Sequence, residues 1–113
     1  MNEYKLKRWE VERLGITPNN TQVEQIPQSG GVVTLVTLHH TDIVKITDYQ
    51  TSGEMHITLD TGGFNTVTTR RRMNEVSQAY ELGFQVYQKD YQLYVDYKGH
   101  TQAFDRTIKL QQS

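Results

Sequence analysis

From Val32 onward most of the chain alternates apolar and polar residues with a period of two, and once it switches to a helical period. Val32 to Leu38 (VVTLVTL) is a β-branched strand, and Asp42 to Thr47 (DIVKIT) follows after a bend near His40-Thr41. Thr51-Ser52-Gly53 reads as a turn, and Met55, Ile57 and Leu59 share one face of the next strand. Gly62-Gly63 closes that strand. The spacing of Met73, Val76, Ala79 and Tyr80 then predicts the buried stripe of a helix over about 69–82. Thr68 or Thr69 is its expected N-cap, and Gly83 its expected left-handed residue beyond the C-terminus. A meander follows: FQVYQ, a turn at Lys89-Asp90, YQLYVDY, a turn at Lys98-Gly99, then TQAFD and TIKLQ.

Before Val32 the pattern is weaker. Residues 3–14 suit a short helix closed by Gly15, with Leu6, Trp9 and Arg13 on one face, although the alternation of Trp9, Val11 and Arg13 also permits a strand. Residues 16–31 hold both prolines and many turn formers, and read as a polar connection with an extended piece around Val23 to Ile26. The expected fold class is α+β: an antiparallel β-sheet, a meander, with one principal helix packed on a face and a short N-terminal helix. The 113 residues make one domain, with 1–31 as N-terminal segment and connection and 32–113 as the β-rich core.

Composition narrows the function classes. A hydrophobic fraction of 35% implies a small core and leaves room for a homodimer. The net charge of −1 argues against a general duplex-DNA binder while allowing one local basic site. There is no cysteine, so thiolate metal sites and cysteine nucleophiles are excluded. No apolar run is long enough to span a membrane and the N-terminus lacks a signal-peptide core, so no membrane partner is expected.

The densest candidate chemistry lies in Asp60 to Leu82. Arg70, Arg71 and Arg72 follow the expected N-cap at once, where the helix dipole disfavours cations. A bound anion would reverse that cost. Free N–H groups, the hydroxyls of Thr66, Thr68 and Thr69, and the three guanidinium groups suit a phosphate, while Gly62 and Gly63 permit close backbone approach. Phe64 lies between the glycines and the threonines, and His40 or His56 is the histidine placed to donate to the anion. If the arginines bind nothing, replacing all three by alanine should have little effect on stability or even raise it. The alternative is that they fan into solvent or pair with acidic neighbours, Arg71 with Glu75 at i,i+4 among them. The spacing is neither a P-loop nor a dinucleotide fingerprint.

The run GGFNTVTTRRRMN (Gly62 to Asn74) resembles a GG-aromatic-x-T-x-T-T-x-x-R-[MI]-N stretch found in small proteins of tailed bacteriophages. There it also follows a strand preceded by a T-x-[IV]-V segment, here Thr41 to Val44, and the likeness covers about Val36 to Phe104. Phe64 stands where tryptophan is more usual in that stretch. The resemblance implies a phage origin and the cytoplasm of an infected bacterial host, and it supplies no mechanism.

Other chemistry is thinner. Asp60-Thr61-Gly62 matches the aspartic-protease triplet, but an Arg-led helix rather than more sheet follows it, so it reads as a turn. His39 and His40 are adjacent on a strand and so point to opposite faces, and no metal site is expected. Tyr87, Tyr91, Tyr94 and Tyr97 with Lys89 and Lys98 could stack single-stranded bases, or simply line a core and its rim. No nucleophile, base and orienter assemble, so neither enzymatic activity nor a cofactor is expected. The sequence favours a non-enzymatic phage accessory protein binding an anionic, nucleotide-like ligand at Thr66–Arg72, for instance to sequester a host defence signal. The alternatives are an inhibitor docking on a host bacterial protein through arginine and tyrosine, and a single-stranded nucleic-acid binder.

Overall fold

The structure, a computed structural model, describes residues 3–111. It begins with a two-residue strand β1 (Tyr4–Lys5) and a six-residue helix α1 (Arg8–Arg13). Four strands follow: β2 (Thr21–Gln28), β3 (Gly31–Leu38), β4 (Thr41–Tyr49) and β5 (Glu54–Asp60). Helix α2 (Val67–Ala79) leads to β6 (Phe84–Lys89), β7 (Gln92–Tyr97), β8 (His100–Phe104) and β9 (Thr107–Gln111). The fold is α+β, as the periodicity requires. The strands form two antiparallel sheets rather than one meander: six strands in the order β1-β2-β3-β4-β5-β9, and three in the order β6-β7-β8. The last strand leaves the meander and pairs with β5, Ile57 opposite Leu110 and Leu59 opposite Ile108. Its apolar residues thereby extend the apolar face of the larger sheet.

Both sheets and α2 share one hydrophobic core. Val23, Val36, Val44, Ile46, Ile57, Leu59 and Leu110 come from the larger sheet, and Phe84, Val86, Leu93, Val95, Tyr97 and Phe104 from the smaller. Met73 and Val76 of α2 are fully buried among them.

Three expectations need correction. The stretch read as a polar connection contains β2, paired with β3 along its whole length from Thr21–Leu38 to Gln28–Gly31. An antiparallel sheet with one solvated face tolerates the outward Gln and Glu residues that made this segment look like loop. The N-terminal helix is shorter than 3–14, because Tyr4 and Lys5 pair with Gln25 and Glu24. Trp9 is 55% exposed, with the Arg13 guanidinium 5.4 Å from its ring centre, and Val11 is the buried residue instead. The β6–β7 turn falls on Asp90-Tyr91, one residue later than expected, so Tyr91 is not in a strand. No helix among the described residues is long and apolar enough to cross a membrane.

Candidate functional site

Thr66 caps α2, its hydroxyl accepting from the Thr69 N–H at 3.1 Å while the Thr66 carbonyl accepts from the Arg70 N–H. The cap thus lies two or three residues earlier than expected. The first turn holds Val67, Thr68 and Thr69, and Arg70, Arg71 and Arg72 stand in the next, where the dipole has largely faded. Of the first N–H groups, which have no intrahelical partner, that of Thr69 is taken up by the Thr66 hydroxyl; those of Val67 and Thr68 have no protein partner among the described residues.

The arginines do not converge. Consecutive helical residues are about 100° apart, so three in a row spread over more than half the circumference. Arg72 turns inward and is 6% exposed; its Nε donates to Thr21 Oγ1 at 2.9 Å and its Nη1 to Glu75 Oε1 at 3.3 Å. Glu75 also accepts from the N–H and hydroxyl of Thr17 at 2.8 and 2.9 Å. Burial works against the Glu75 carboxylate, yet the Thr17 hydrogen bonds and Arg72 outweigh it and hold the carboxyl below its ordinary value. Arg72, not Arg71, is therefore the partner of Glu75, and a triple alanine change would break a buried network. Arg70 donates from Nη1 to Asn65 Oδ1 at 2.6 Å, and Arg71 is exposed.

Two concavities flank the start of α2. The first, about 600 Å3, is lined by Leu38, His40, Ile43, Phe64 and the threonines Thr41, Thr61, Thr66, Thr68 and Thr69, with His39 at the β3–β4 turn. Its floor depends on a β-bulge: the β3–β4 register shifts between Val36 and Thr37, which opposes Asp42 and leaves Ile43 as the extra residue. Adjacent Ile43 and Val44 are consequently both buried. The Asp60–Gly63 turn closes the other side. There Asp60 Oδ1 accepts from the Gly62 N–H at 2.7 Å, and buried Thr61 donates its N–H to the Arg106 carbonyl. Gly62 has φ +67, and a Cβ on it would lie 2.6 Å from Thr41 Oγ1, so glycine is required both for the turn and for the fit against the pocket wall. Gly63 has φ +88 and open space around it.

The second concavity, about 660 Å3 and shallow, lies between α2 and the β6–β7 hairpin, lined by Val67, Arg70, Arg71 and Asn74 with Val86, Tyr87, Gln88, Asp90 and Tyr91.

Of the residues expected to bind one anion, Phe64, Thr66, Thr68, Thr69 and His40 come together in the first concavity, with Gly62 and Gly63 in the turn beside it. Arg70 and Arg71 face the second concavity. His56 is remote: it projects from the outer face of the larger sheet, edge-on to Tyr49 and 3.3 Å from Glu54 Oε2. Sequence reading missed Leu38, Ile43 and Thr41; the adjacent apolar pair Ile43-Val44, which interrupts the period of two, was the available signal. The tyrosines form no single row either. Tyr87 and Tyr94 stack outward at 5.7 Å, Tyr97 is buried, and Tyr91 stands at the turn. Among the described residues, no group of three or more His, Asp or Glu side chains is arranged to hold a metal ion.

The fold and site define an α+β protein of two antiparallel sheets, with a Thr-capped helix opening on two concavities. Residues 10–111 match the family described as Kyanoviridae Gp96 protein. The chain belongs to that family, and is thus a bacteriophage protein. No curated protein and no solved structure matches it.

Proposed function

We propose that the chain is a non-enzymatic phage accessory protein that binds a small anionic, nucleotide-like ligand beside the start of α2, sequestering a ligand the bacterial host uses against infection. The supporting observation is the composition of the 600 Å3 concavity: apolar Leu38, Ile43 and Phe64 and the threonines Thr41, Thr66 and Thr68 line one recess. Its size falls in the range of small-molecule sites, about 300–1,000 Å3. An apolar wall with a few convergent polar groups suits a ligand with a planar body and a charged end. Phe64, 67% exposed at the rim, offers a ring for stacking. The N–H groups of Val67 and Thr68 offer a place for a phosphate or carboxylate. In this reading Arg71 contributes nothing to the pocket.

The test is thermal stability against mononucleotides, cyclic nucleotides and inorganic phosphate. A ligand at a hundred times its Kd stabilises by about 2.7 kcal/mol, which one member of the panel should show. Phe64→Ala and Thr68→Val should abolish that gain and Arg71→Ala should preserve it. No gain with any of these compounds, or a gain lost equally with Arg71→Ala, contradicts the reading.

A further inference from the structure

Strand β6 lies at the edge of the smaller sheet, and α2 covers only part of that edge. The pairing with β7 commits the main-chain groups of Gln85, Tyr87 and Lys89, so those of Phe84, Val86 and Gln88 point the other way. Ser77 takes Phe84: its hydroxyl donates to the Phe84 carbonyl at 2.7 Å and accepts from the Phe84 N–H at 3.0 Å. Asn74 takes Val86 in the manner of a neighbouring strand, Nδ2 donating to the Val86 carbonyl at 2.8 Å and Oδ1 accepting from the Val86 N–H at 2.7 Å. The next pair along the edge, the N–H and carbonyl of Gln88, opens into the second concavity.

What surrounds this opening is selective. Arg70 and Arg71 line it, and among the described residues neither has a carboxylate within 4.0 Å, whereas Arg72 does. Val67 is 56% exposed and Tyr91 96% exposed at its margins. Tyr91 also has φ +67, in a two-residue hairpin turn where glycine or asparagine is the inexpensive choice. An exposed tyrosine there costs backbone strain and gains no burial within the chain. Arginine and tyrosine are the residues enriched where partner proteins are held.

We propose that an extended acidic segment of a partner protein docks here, independently of the small-ligand pocket. Its backbone pairs with the N–H and carbonyl of Gln88, continuing the edge that Asn74 already engages, and its carboxylates are taken by Arg70 and Arg71, with Tyr91 and Val67 packing its apolar side chains. A phosphodiester strand fits less well, because it has no peptide backbone to pair with the N–H and carbonyl of Gln88 along the β6 edge.

The experiment uses a labelled peptide of about eight residues alternating Asp and Val, its Lys-for-Asp counterpart, and an oligothymidine of about equal length, each titrated onto the full chain. The acidic peptide should saturate and slow amide exchange at Gln88. Arg71→Glu should weaken it roughly tenfold or more, and the Arg70→Glu/Arg71→Glu variant should prefer the Lys peptide. Tyr91→Gly supplies a variant that cannot be dismissed as unfolded, because relief of the positive φ should raise thermal stability while peptide binding falls. Failure of the acidic peptide to saturate, tighter binding of the oligothymidine, indifference to the charge reversal or an unprotected Gln88 amide would each overturn the proposal.

Discussion

Arg72 sits directly after half-exposed Arg70 and exposed Arg71 and makes a different set of contacts from either. Its guanidinium spans Thr21 at the start of β2 and Glu75 one turn on, and Glu75 in turn holds Thr17, so this group fastens the segment before β2 to α2. Removing one member strands the others. Arg72→Ala should therefore destabilise by about 3 kcal/mol, against about 0.5 kcal/mol or less for exposed Arg71→Ala, as denaturant titration would read. The Glu75 carboxyl has a lower pKa folded than unfolded, so its contribution is complete above the unfolded carboxylate value of about 4.3. It is lost as pH falls through the folded value. Glu75→Gln should flatten the loss of thermal midpoint over that acid interval; an unchanged slope would show that Glu75 does not carry it. The divergence of the arginines was legible in the sequence from the 3.6-residue period alone, since Arg71 shares a face with Val67 and Asn74 rather than with Arg72. The burial of Arg72 was not, because its partner Thr21, and Thr17 which Glu75 holds, lie far away in sequence.

Two helix endings that look alike in sequence differ in the structure. Gly15 closes α1 as expected: it has φ +91, its N–H reaches the Glu12 carbonyl, and the N–H of buried Ile16 reaches Val11. At the end of α2 the same motif is built on Glu81, with φ +53, and the Leu82 N–H donates to the Ser77 carbonyl at 2.8 Å. Gly83 comes too late for this role, because the buried residue that must follow the left-handed position is Leu82. Glu81→Gly should then stabilise the protein by about 1 kcal/mol, measured by denaturation; a loss of stability would mean that Glu81 makes an unrecognised contact. Strand β2 was obscured for a related reason. Pro18, Asn19 and Asn20 before it and Pro27 within it are strong turn signals, while only Val23 and Thr21 are buried to mark its inner face. The alternation in β5, with Ile57 and Leu59 inward, was plain because both neighbours in the sheet are apolar there.

At the scale of the molecule, the return of β9 to β5 separates the six-stranded sheet from the three-stranded one and leaves α2 to bridge them. A local pattern could not reveal this, since consecutive strands usually pair, and β8 and β9 looked like one more hairpin. The bridging position explains the site. The start of α2 meets the β3–β4 turn on one side and the β6–β7 hairpin on the other, so one helix end borders two recesses of different chemistry, one apolar and hydroxylic, the other cationic and aromatic. Sequence reading found the threonines but set the helix start two or three residues late and merged these two recesses into one. Amide chemical-shift mapping during titration with the mononucleotide, cyclic nucleotide or phosphate that raises thermal stability would show whether a small ligand sits at Phe64, Thr66 and Thr68. Ligand in this pocket should give saturable shifts at Val67, Thr68, Thr69 and His40, with Arg71 and Tyr91 unmoved. Shifts confined to Arg70, Arg71 and Tyr91, or none at saturating ligand, would contradict it.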